Sequence, residues 1–428
     1  MARVGHGVIE GFYGRPWTTA ERVSFVERIG GAGLETFIVA PKNDPAGFSR
    51  PRRAARDFSA IAEVARAAAR ARVRLYVSTC LENAPALLDA GAHGVVVSMD
   101  DTWTTFAPGL ATESRGRAHG SRAAEALARI GATASTPVLL VPAIYHRRAE
   151  DLGRGALAYL RGIAAVAADV PVAWTGPSIF SRWVTAGDAA RWKEATGLSI
   201  WLWNNAVTND WLPLATGELV GARAWQKLCF GSVDNMVPGV ERELEGVLLN
   251  AAREPAVSHV SALCLAAWLR DPLHYDARRE VASAIREVGA HHADLLALAH
   301  DLTCRHPLSA PSRFEAAELA DAVSDYVGGR SGADAVIARL EALVRAAERA
   351  RSSDDALVRE ILPTLEKAAA LGAAAALGVE RREGAADKRA DRLRAAAMEP
   401  HLRRARSLRW QVGLDSLHAL LSRPGTRR

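Results

Sequence analysis

Eight short apolar runs constrain the fold of this chain more than any other feature of its sequence. They lie at 4–10, 36–40, 74–79, 94–99, 137–144, 170–174, 199–203 and 228–233. Apolar strands that alternate with helices are typical of a parallel sheet covered on both faces. Eight such units within about 250 residues predict a (β/α)8 TIM barrel. A doubly wound open sheet is the second choice, because the first run is not followed by a glycine-rich phosphate-binding motif.

The stretches between these runs have the signals of helices. Thr18 and Glu21 have capping-box spacing at the start of the first one, which ends on Gly30, Gly31 and Gly33. Similar amphipathic patterns predict helices over 54–71 and 148–167. Strand and helix signals therefore alternate regularly up to about residue 235, as a barrel requires.

The pattern changes after residue 240, where we predict helices only. The stretch "ERELEGVLLNAAREP" and the Ala, Arg, Leu and Glu-rich sequence beyond it lack strand-like runs. Prolines at 307 and 311 mark a joint, and "GGRSG" at 328–332 separates two helices. We therefore predict a catalytic barrel at 1–245, a helical segment packed on it at 246–306, and a C-terminal helical bundle at 307–428.

Composition excludes several classes of protein. The 428 residues are 49% hydrophobic and 24% charged, with no apolar run long enough to span a membrane. The first residues lack a basic segment followed by an apolar core, so we predict no secretory signal and a cytoplasmic location. The net charge of +6 does not indicate nucleic-acid binding, because the basic residues are almost all Arg interspersed with Asp and Glu. We predict no cofactor and no metal, since the histidines, including the pair at 291–292, lack a ligand spacing such as HExxH.

Polar side chains follow nearly every predicted strand, at the face where barrel enzymes carry their active sites. They are Glu10, Lys42, Asn43, Asp44, Asp100, Asp101, Tyr145, Thr175, Asn204, Asn205, Asp210, Asp234 and Asn235. Gly11 follows Glu10, and Trp17, Trp103, Trp174 and Trp203 lie beside these positions. Hydrogen-bonding groups that converge beside aromatic faces suit a sugar, which has hydroxyls and apolar C–H faces.

Asp100 and Asp101 end an apolar run as two adjacent carboxylates. Repulsion between like charges and burial both raise a carboxyl pKa, so one of the pair can stay protonated near neutral pH. A protonated carboxyl can act as a general acid on a glycosidic oxygen. Such a pair could instead only cap the following helix, but its place among the other strand-end residues favours catalysis.

Five motifs in the same order resemble glycoside hydrolase family 84, the β-N-acetylglucosaminidases that include protein O-GlcNAcases and hyaluronidase-like relatives. They are "GVIEGFYGRPW", "APKNDP", "DD" after the fourth run, "WTGP" and "WNNAVTND". The resemblance covers about 1–245 well and continues more loosely into the helices near Trp268. It implies a β-GlcNAc-containing glycan or glycoconjugate as substrate, and it makes the C-terminal helices a plausible homodimer surface.

The resemblance also implies roles for individual residues. Asp101 is expected to be the general acid/base and Asp100 to orient the 2-acetamido group, whose own oxygen attacks the anomeric carbon to form an oxazoline. The Gly11 backbone carbonyl and Lys42 are expected to bind sugar hydroxyls, and Tyr145 is expected to bind the acetamido oxygen. Thr175 and Trp203 are expected to line the acetamido pocket. Further hydrogen bonds are expected from Asn205, Asp210 and Asn235, with Asp210 at the 4- and 6-hydroxyls.

Three alternatives stay open from the sequence. One is a glycan-binding or scaffold protein without turnover, and another is a barrel hydrolase that acts on chitin-type oligomers. The third is a hexosaminidase specific for anionic or sulfated glycans, because "YHRR" places Arg147 and Arg148 after Tyr145, where a guanidinium could pair with an anionic neighbour.

Overall fold

Eight parallel strands pair in chain order, and the eighth pairs with the first to close a barrel. The computed structural model describes residues 5–42, 58–100, 111–130, 138–209, 228–302 and 317–382. The strands are β1 (Gly7–Glu10), β2 (Thr36–Val39), β3 (Arg74–Ser78), β4 (Gly94–Ser98), β5 (Val138–Val141), β6 (Val172–Trp174), β7 (Ile200–Asn204) and β8 (Val247–Asn250). The predicted fold class is therefore confirmed.

Helices separate most of the strands and follow the last one. In the described residues they are α1 (Thr19–Gly31), α2 (Ser59–Arg70), α3 (Ala84–Asp89), α4 (Glu113–Arg129), α5 (Gly153–Ala167), α6 (Ala186–Thr196), α7 (Pro255–Arg270), α8 (Ala277–Gly289), α9 (Ala293–Asp301), α10 (Ala317–Val327), α11 (Ala333–Arg351) and α12 (Ala356–Arg382). The predicted capping box is present at α1. Thr18 Oγ1 accepts from the Glu21 N–H at 3.2 Å, and the Glu21 carboxylate accepts from the Thr18 N–H at 2.6 Å.

Seven predicted strands are confirmed within a few residues, but the eighth prediction is wrong. The run at 228–233 is a buried irregular segment in which Gly231 has φ +132°, and its N–H donates to Ser261 Oγ rather than to a strand. The true β8 lies inside "ERELEGVLLNAAREP", the stretch predicted to be helical. Val247 pairs with Leu202 of β7, and Leu248 pairs with Gly7 of β1. Closure of the barrel therefore overrides the helix propensity of the flanking Glu, Arg and Leu.

The side chains that alternate inward along the strands fill the barrel interior. They form one buried cluster of Ile9, Ile38, Ala40, Tyr76, Val96, Leu139, Val141, Ala173, Trp201, Trp203 and Leu248. The barrel is thus a packed core rather than a pore. Its functional surface must lie where the strands end, above this cluster.

The described residues divide into two compact units. The barrel unit contains all eight strands and continues to Val281, and the helical unit includes α9 to α12. All of β8 (Val247–Asn250) lies beyond residue 245, the predicted end of the barrel. The remaining division at 246–306 and 307–428 stays a proposal. In the helical unit, "GGRSG" separates α10 from α11 as predicted. None of the described helices has the length and apolar character needed to cross a membrane.

Candidate active site

A cavity opens at the carboxyl ends of the strands and contains about 470 Å³ of space, including its mouth. Its described lining is Gly11, Tyr13, Lys42, Asp100, Val141, Tyr145, Ala173, Thr175, Ile179, Phe180, Trp203, Asn205, Thr208 and Asn250. Val141 and Ala173 belong to the barrel core, so the packed interior forms the floor. A concave surface lined by apolar side chains and a few convergent polar groups is typical of a small-molecule site.

Most of the described residues predicted from the strand ends meet in this cavity. Gly11, Lys42, Asp100, Tyr145, Thr175, Trp203 and Asn205 all line it, although they come from six different strands. Asp101 and Asp210 lie outside the described residues, as do Asn43, Asp44 and Trp103. Their predicted roles stay predictions.

The structure does not bring Asn235 to the described lining of the cavity. Its amide exchanges hydrogen bonds with the Asn204 amide at 2.9 and 3.0 Å, and its Nδ2 also donates to the Ser181 carbonyl at 3.2 Å. Asn235 was expected at the end of an eighth strand over 228–233, and no strand lies there. In the described structure it braces the chain beside β7.

Along with Ile179, Phe180 and Thr208, Asn250 is one of the lining residues that sequence reasoning missed. It ends β8, and its Oδ1 accepts from the Gly11 N–H at 3.1 Å while its Nδ2 donates to Asn205 Oδ1 at 2.9 Å. The sequence did contain a signal for Asn250. It is an asparagine at the end of a short apolar run, as Asn204 is at the end of β7. It was overlooked because the four residues of β8 were assigned to a helix.

The orientation of the Asn205 amide is fixed by its neighbours. Its Oδ1 accepts from the Trp203 indole N–H and from Asn250, both at 2.9 Å, while its Nδ2 donates to the Ile179 carbonyl at 2.8 Å. An indole nitrogen can only donate and a carbonyl can only accept, so the amide cannot be reversed. Trp203 uses its polar edge in this network and therefore offers the cavity only its apolar ring.

Gly11 is needed because the Trp203 ring occupies the space of a side chain. A Cβ at Gly11 would lie 2.9 Å from Trp203 Cη2, even closer to Cζ2, and 3.0 Å from Asn250 Oδ1. Contacts this short are essentially absent between real atoms, so any larger residue displaces the ring. The glycine of the first motif therefore determines where the aromatic wall of the cavity stands.

The segment after Gly11 is held by the buried carboxylate of Glu10. This carboxylate accepts from Arg22 at 2.6 and 2.8 Å and from the Trp17 N–H at 2.9 Å. Burial raises the pKa of Glu10, and the Arg22 guanidinium and the Trp17 N–H oppose that shift. Trp17 in turn packs on Phe12, Phe25 and Phe37. The mixed motif after β1 therefore combines one lining glycine with an anchor to α1 and β2.

Lys42 and Asp100 form an ion pair on another side of the cavity. The Lys42 ammonium also lies 5.4 Å from the centre of the Trp203 ring, within the range of a cation–π contact. The side chains of Lys42 and Asp100 retain 16% and 8% exposure, so both are reachable from the cavity but largely desolvated. An ion pair requires the ionised carboxylate, which is also the form that accepts a hydrogen bond from an amide N–H.

Tyr145 and Thr175 are joined across the mouths of β5 and β6. The Thr175 N–H donates to the Tyr145 carbonyl at 2.8 Å, and Thr175 Oγ1 donates to the Ser178 carbonyl at 2.8 Å. Ser181 Oγ donates to the Thr175 carbonyl at 2.8 Å. The Thr175 hydroxyl therefore shapes the turn that carries Ile179 and Phe180.

A buried tyrosine supports the end of β5 from behind. Tyr159 Oη accepts from the Ala143 N–H at 3.0 Å and lies 2.8 Å from His119 Nδ1. Because the hydroxyl has a single hydrogen, it donates that hydrogen to an unprotonated Nδ1. Burial and the charges of Arg115 and Arg122 lower the pKa of His119, in agreement with a neutral ring.

Arg147 and Arg148 are engaged with the protein itself. Arg147 has φ +96°, and its Nη1 donates to the Asp151 carbonyl at 3.3 Å. The Arg148 guanidinium lies 3.5 Å from the Asp188 carboxylate. Neither lines the described cavity. Their contacts therefore give no support to specificity for an anionic neighbour.

Comparisons with known proteins identify the family of this chain. A family model described as beta-N-acetylglucosaminidase matches residues 6–300. Among solved structures, a mutant O-GlcNAc hydrolase of Thermobaculum terrenum has a TM-score of 0.74 at 18% identity, covering 98% of this chain and 94% of that one. CpGH84B has a TM-score of 0.74 at 19% identity, covering 98% and 76%. The structural matches support the fold, and the family match covers well over half of the chain. The chain thus belongs to the β-N-acetylglucosaminidases of glycoside hydrolase family 84 and is a glycoside hydrolase.

Proposed function

We propose that this protein is a retaining exo-β-N-acetylglucosaminidase that removes terminal β-linked GlcNAc by substrate-assisted catalysis. Asp101 is the general acid/base, and Asp100 orients the 2-acetamido group. The observation that carries this proposal is the Lys42–Asp100 ion pair, which lies in the same cavity as the Trp203 ring and Tyr145. The floor formed by the barrel core favours a terminal sugar over an internal one.

The acetamido group of the bound sugar meets a carboxylate and an aromatic wall. Its N–H donates to the Asp100 carboxylate, which also pairs with the Lys42 ammonium. Its methyl group lies against apolar surface such as the Trp203 ring, whose indole N–H is already used by Asn205. Asn205 Nδ2 has a second N–H besides the one that it donates to Ile179, and this group binds a sugar oxygen.

The reaction then needs two inversions at the anomeric carbon. In the first, the acetamido oxygen forms a bond to C1 as the bond from C1 to the leaving oxygen breaks, and Asp101 transfers its proton to that oxygen. Asp100 stabilises the positive charge that develops on the amide nitrogen. In the second, Asp101 takes a proton from water, the water oxygen bonds to C1, and the oxazoline ring opens to release GlcNAc with retained configuration.

The two neighbouring acids are tested by comparing leaving groups. Asp101→Asn is expected to lower kcat by about 10² to 10⁴ on a poorly activated β-GlcNAc glycoside, and much less on a nitrophenyl glycoside, whose leaving group needs no proton. Asp100→Asn should lower both rates, because the nucleophile is then misplaced. Asp271→Asn, at an exposed carboxylate in the barrel unit, is the matched control and should leave both rates unchanged.

Substrate assistance has its own test. Successive fluorination of the N-acetyl group weakens the amide oxygen as a nucleophile, and kcat should fall steeply along that series. Equal rates across the series would contradict the oxazoline mechanism. Normal turnover of the nitrophenyl glycoside by both Asp100→Asn and Asp101→Asn would contradict the assignment of the residues.

A further inference from the structure

The helical unit contains a group of three potential metal ligands that is independent of the cavity. His291, His292 and Asp355 place one ligand atom each within 4.8 Å of the other two. We propose that these three side chains form a binding site for one divalent transition-metal ion, of which Zn²⁺ fits the donor set best. Nothing in the glycosidase chemistry uses these residues.

The two histidines are presented by a short turn between α8 and α9. Residues Ala290–His292 form one turn of 3₁₀ helix, and Ala290 has φ +44°, in the left-handed region. A residue with a Cβ rarely adopts that conformation, which persists where the surrounding structure requires it. The turn brings the two imidazole rings to a centroid separation of 4.1 Å. Adjacent histidines thus lie side by side instead of pointing apart.

The third ligand is held in place by the start of α12. Asp355 Oδ1 accepts from the Leu357 N–H at 2.8 Å and from the Val358 N–H at 3.4 Å, as a helix cap. These bonds orient the carboxylate, as groups behind a metal ligand commonly do. Within the described residues neither imidazole has a hydrogen-bond partner, so both rings can turn toward an ion.

The chemistry of the three donors indicates the class of ion. Two imidazole nitrogens and one carboxylate oxygen suit Zn²⁺, whereas Ca²⁺ and Mg²⁺ prefer oxygen ligands alone. Ligand atoms around a tetrahedral Zn²⁺ lie roughly 3.3 Å apart, given bonds of about 2.0–2.1 Å. The separations here are within 4.8 Å, so small rotations of exposed or half-exposed side chains close the site. Solvent supplies the fourth ligand.

Binding would link the 290–292 turn to the beginning of α12. A neighbouring ion pair already joins α9 to α11, since Asp294 lies 2.5 Å from Arg349. A metal that binds only the folded state stabilises it by mass action. The proposed ion is therefore a structural clamp within the helical unit, separate from the catalytic residues.

Titration of the full-length, chelator-treated protein with Zn²⁺ tests the site. Isothermal calorimetry should give one equivalent bound to the wild type, and Zn²⁺ should raise its unfolding temperature. The double variant His291→Ala, His292→Ala should lose binding, and Asp355→Asn, which keeps a capping oxygen, should weaken it at least about tenfold. Turnover of a nitrophenyl β-GlcNAc glycoside shows that the barrel unit of each variant is folded, and circular dichroism with the unfolding temperature of the metal-free protein checks the helical unit.

A second histidine–aspartate pair provides the matched control. His274 Nδ1 lies 3.0 Å from Asp271 on the surface of the barrel unit, and among the described residues no third ligand group joins them. His274→Ala should therefore retain the wild-type stoichiometry and affinity. If the wild type and the folded double variant bind Zn²⁺ equally, or if His274→Ala abolishes binding, the proposal is overturned.

Discussion

Two sides of the cavity are held together by different kinds of interaction. On the amide side, Gly11, Asn205 and Asn250 surround Trp203 and are joined by neutral hydrogen bonds. On the charged side, Lys42 and Asp100 from the ends of β2 and β4 form an ion pair. Both sides meet at the Trp203 ring, over which the Lys42 ammonium lies.

One cavity thus combines a side with fixed side-chain orientations and a side whose interaction strength depends on nearby charges. Each amide on the neutral side has an orientation fixed by groups that can only donate or only accept, so that side is organised before substrate binds. The charged side depends on an ion pair that is still partly exposed, so its strength varies with the charges around it. We expect substitutions on the first side to act through shape and those on the second through charge.

The largest effect is expected at Gly11, where shape alone is changed. Gly11→Ala should lower kcat/KM more than about 100-fold, because the methyl group displaces the Trp203 ring from the cavity. Gly31→Ala is the control, since a Cβ there meets nothing within 4 Å. Steady-state kinetics of both variants measures the effect. Near-normal activity of Gly11→Ala would show that the aromatic wall is not rigid.

A somewhat smaller effect is expected on the charged side. Lys42→Met should lower kcat/KM by roughly 30- to 100-fold, because Asp100 keeps its burial but loses its counter-charge. Lys42→Arg should restore only part of the activity, since a planar guanidinium does not reproduce a compact ammonium. Lys193→Met removes an ion pair with Glu243 and should leave kinetics unchanged. Full activity of Lys42→Arg would mean that charge alone matters.

Asn250 and Asn235 separate positioning at the cavity from bracing elsewhere. Asn250→Ala should lower kcat/KM about tenfold and destabilise the protein by about 1–3 kcal/mol, since the Gly11 N–H loses its acceptor. Asn235→Ala removes bonds to Asn204 and should cost similar stability with little change in kcat/KM. Urea unfolding and kinetics compare the two. An equal loss of kcat/KM in both would support the original expectation that Asn235 binds the sugar.

The smallest expected effect is on the pH dependence of folding stability. It comes from histidines that belong to neither side of the cavity. Burial lowers the pKa of His146 and of His259 to about 4. The unfolded chain binds these protons with a pKa near 6.5, so stability is full above that pH and falls as pH decreases toward about 4. Each histidine should remove about 1.4 kcal/mol by pH 5.5. Replacement by Gln should flatten this slope in urea titrations, and an unchanged slope would contradict neutral burial.

Much of the fold was predictable because parallel strands that are buried on both faces need apolar runs. Seven strands and the α1 capping box follow from that pattern and from local hydrogen bonding. The eighth strand was not, since the four residues of β8 are surrounded by residues with helix propensity. Only the edges of β1 and β7, which both need a partner, identify it as a strand.

The residues that line the cavity were predictable to the same degree as the strands, and the prediction missed a lining residue where it missed the eighth strand. Residues at the ends of correctly assigned strands, such as Lys42 and Asn205, do line the cavity. Asn250 was missed because the four residues of β8 were predicted to be helical, and Asn235 was expected at the end of a strand that does not lie at 228–233. One misplaced strand therefore hid a residue that lines the cavity, while the predicted role of Asn235 stays a prediction.

The sequence by itself determined the barrel, the family resemblance and the chemical types of residue at most strand ends. These follow from local patterns, because burial and capping are encoded by neighbouring residues. Only the tertiary structure decided that the Trp203 ring fills the space beside Gly11, that Asn250 joins Gly11 to Asn205, and that Asp355 meets His291 and His292. Those contacts join residues far apart in the chain, and no local pattern encodes a distance between them.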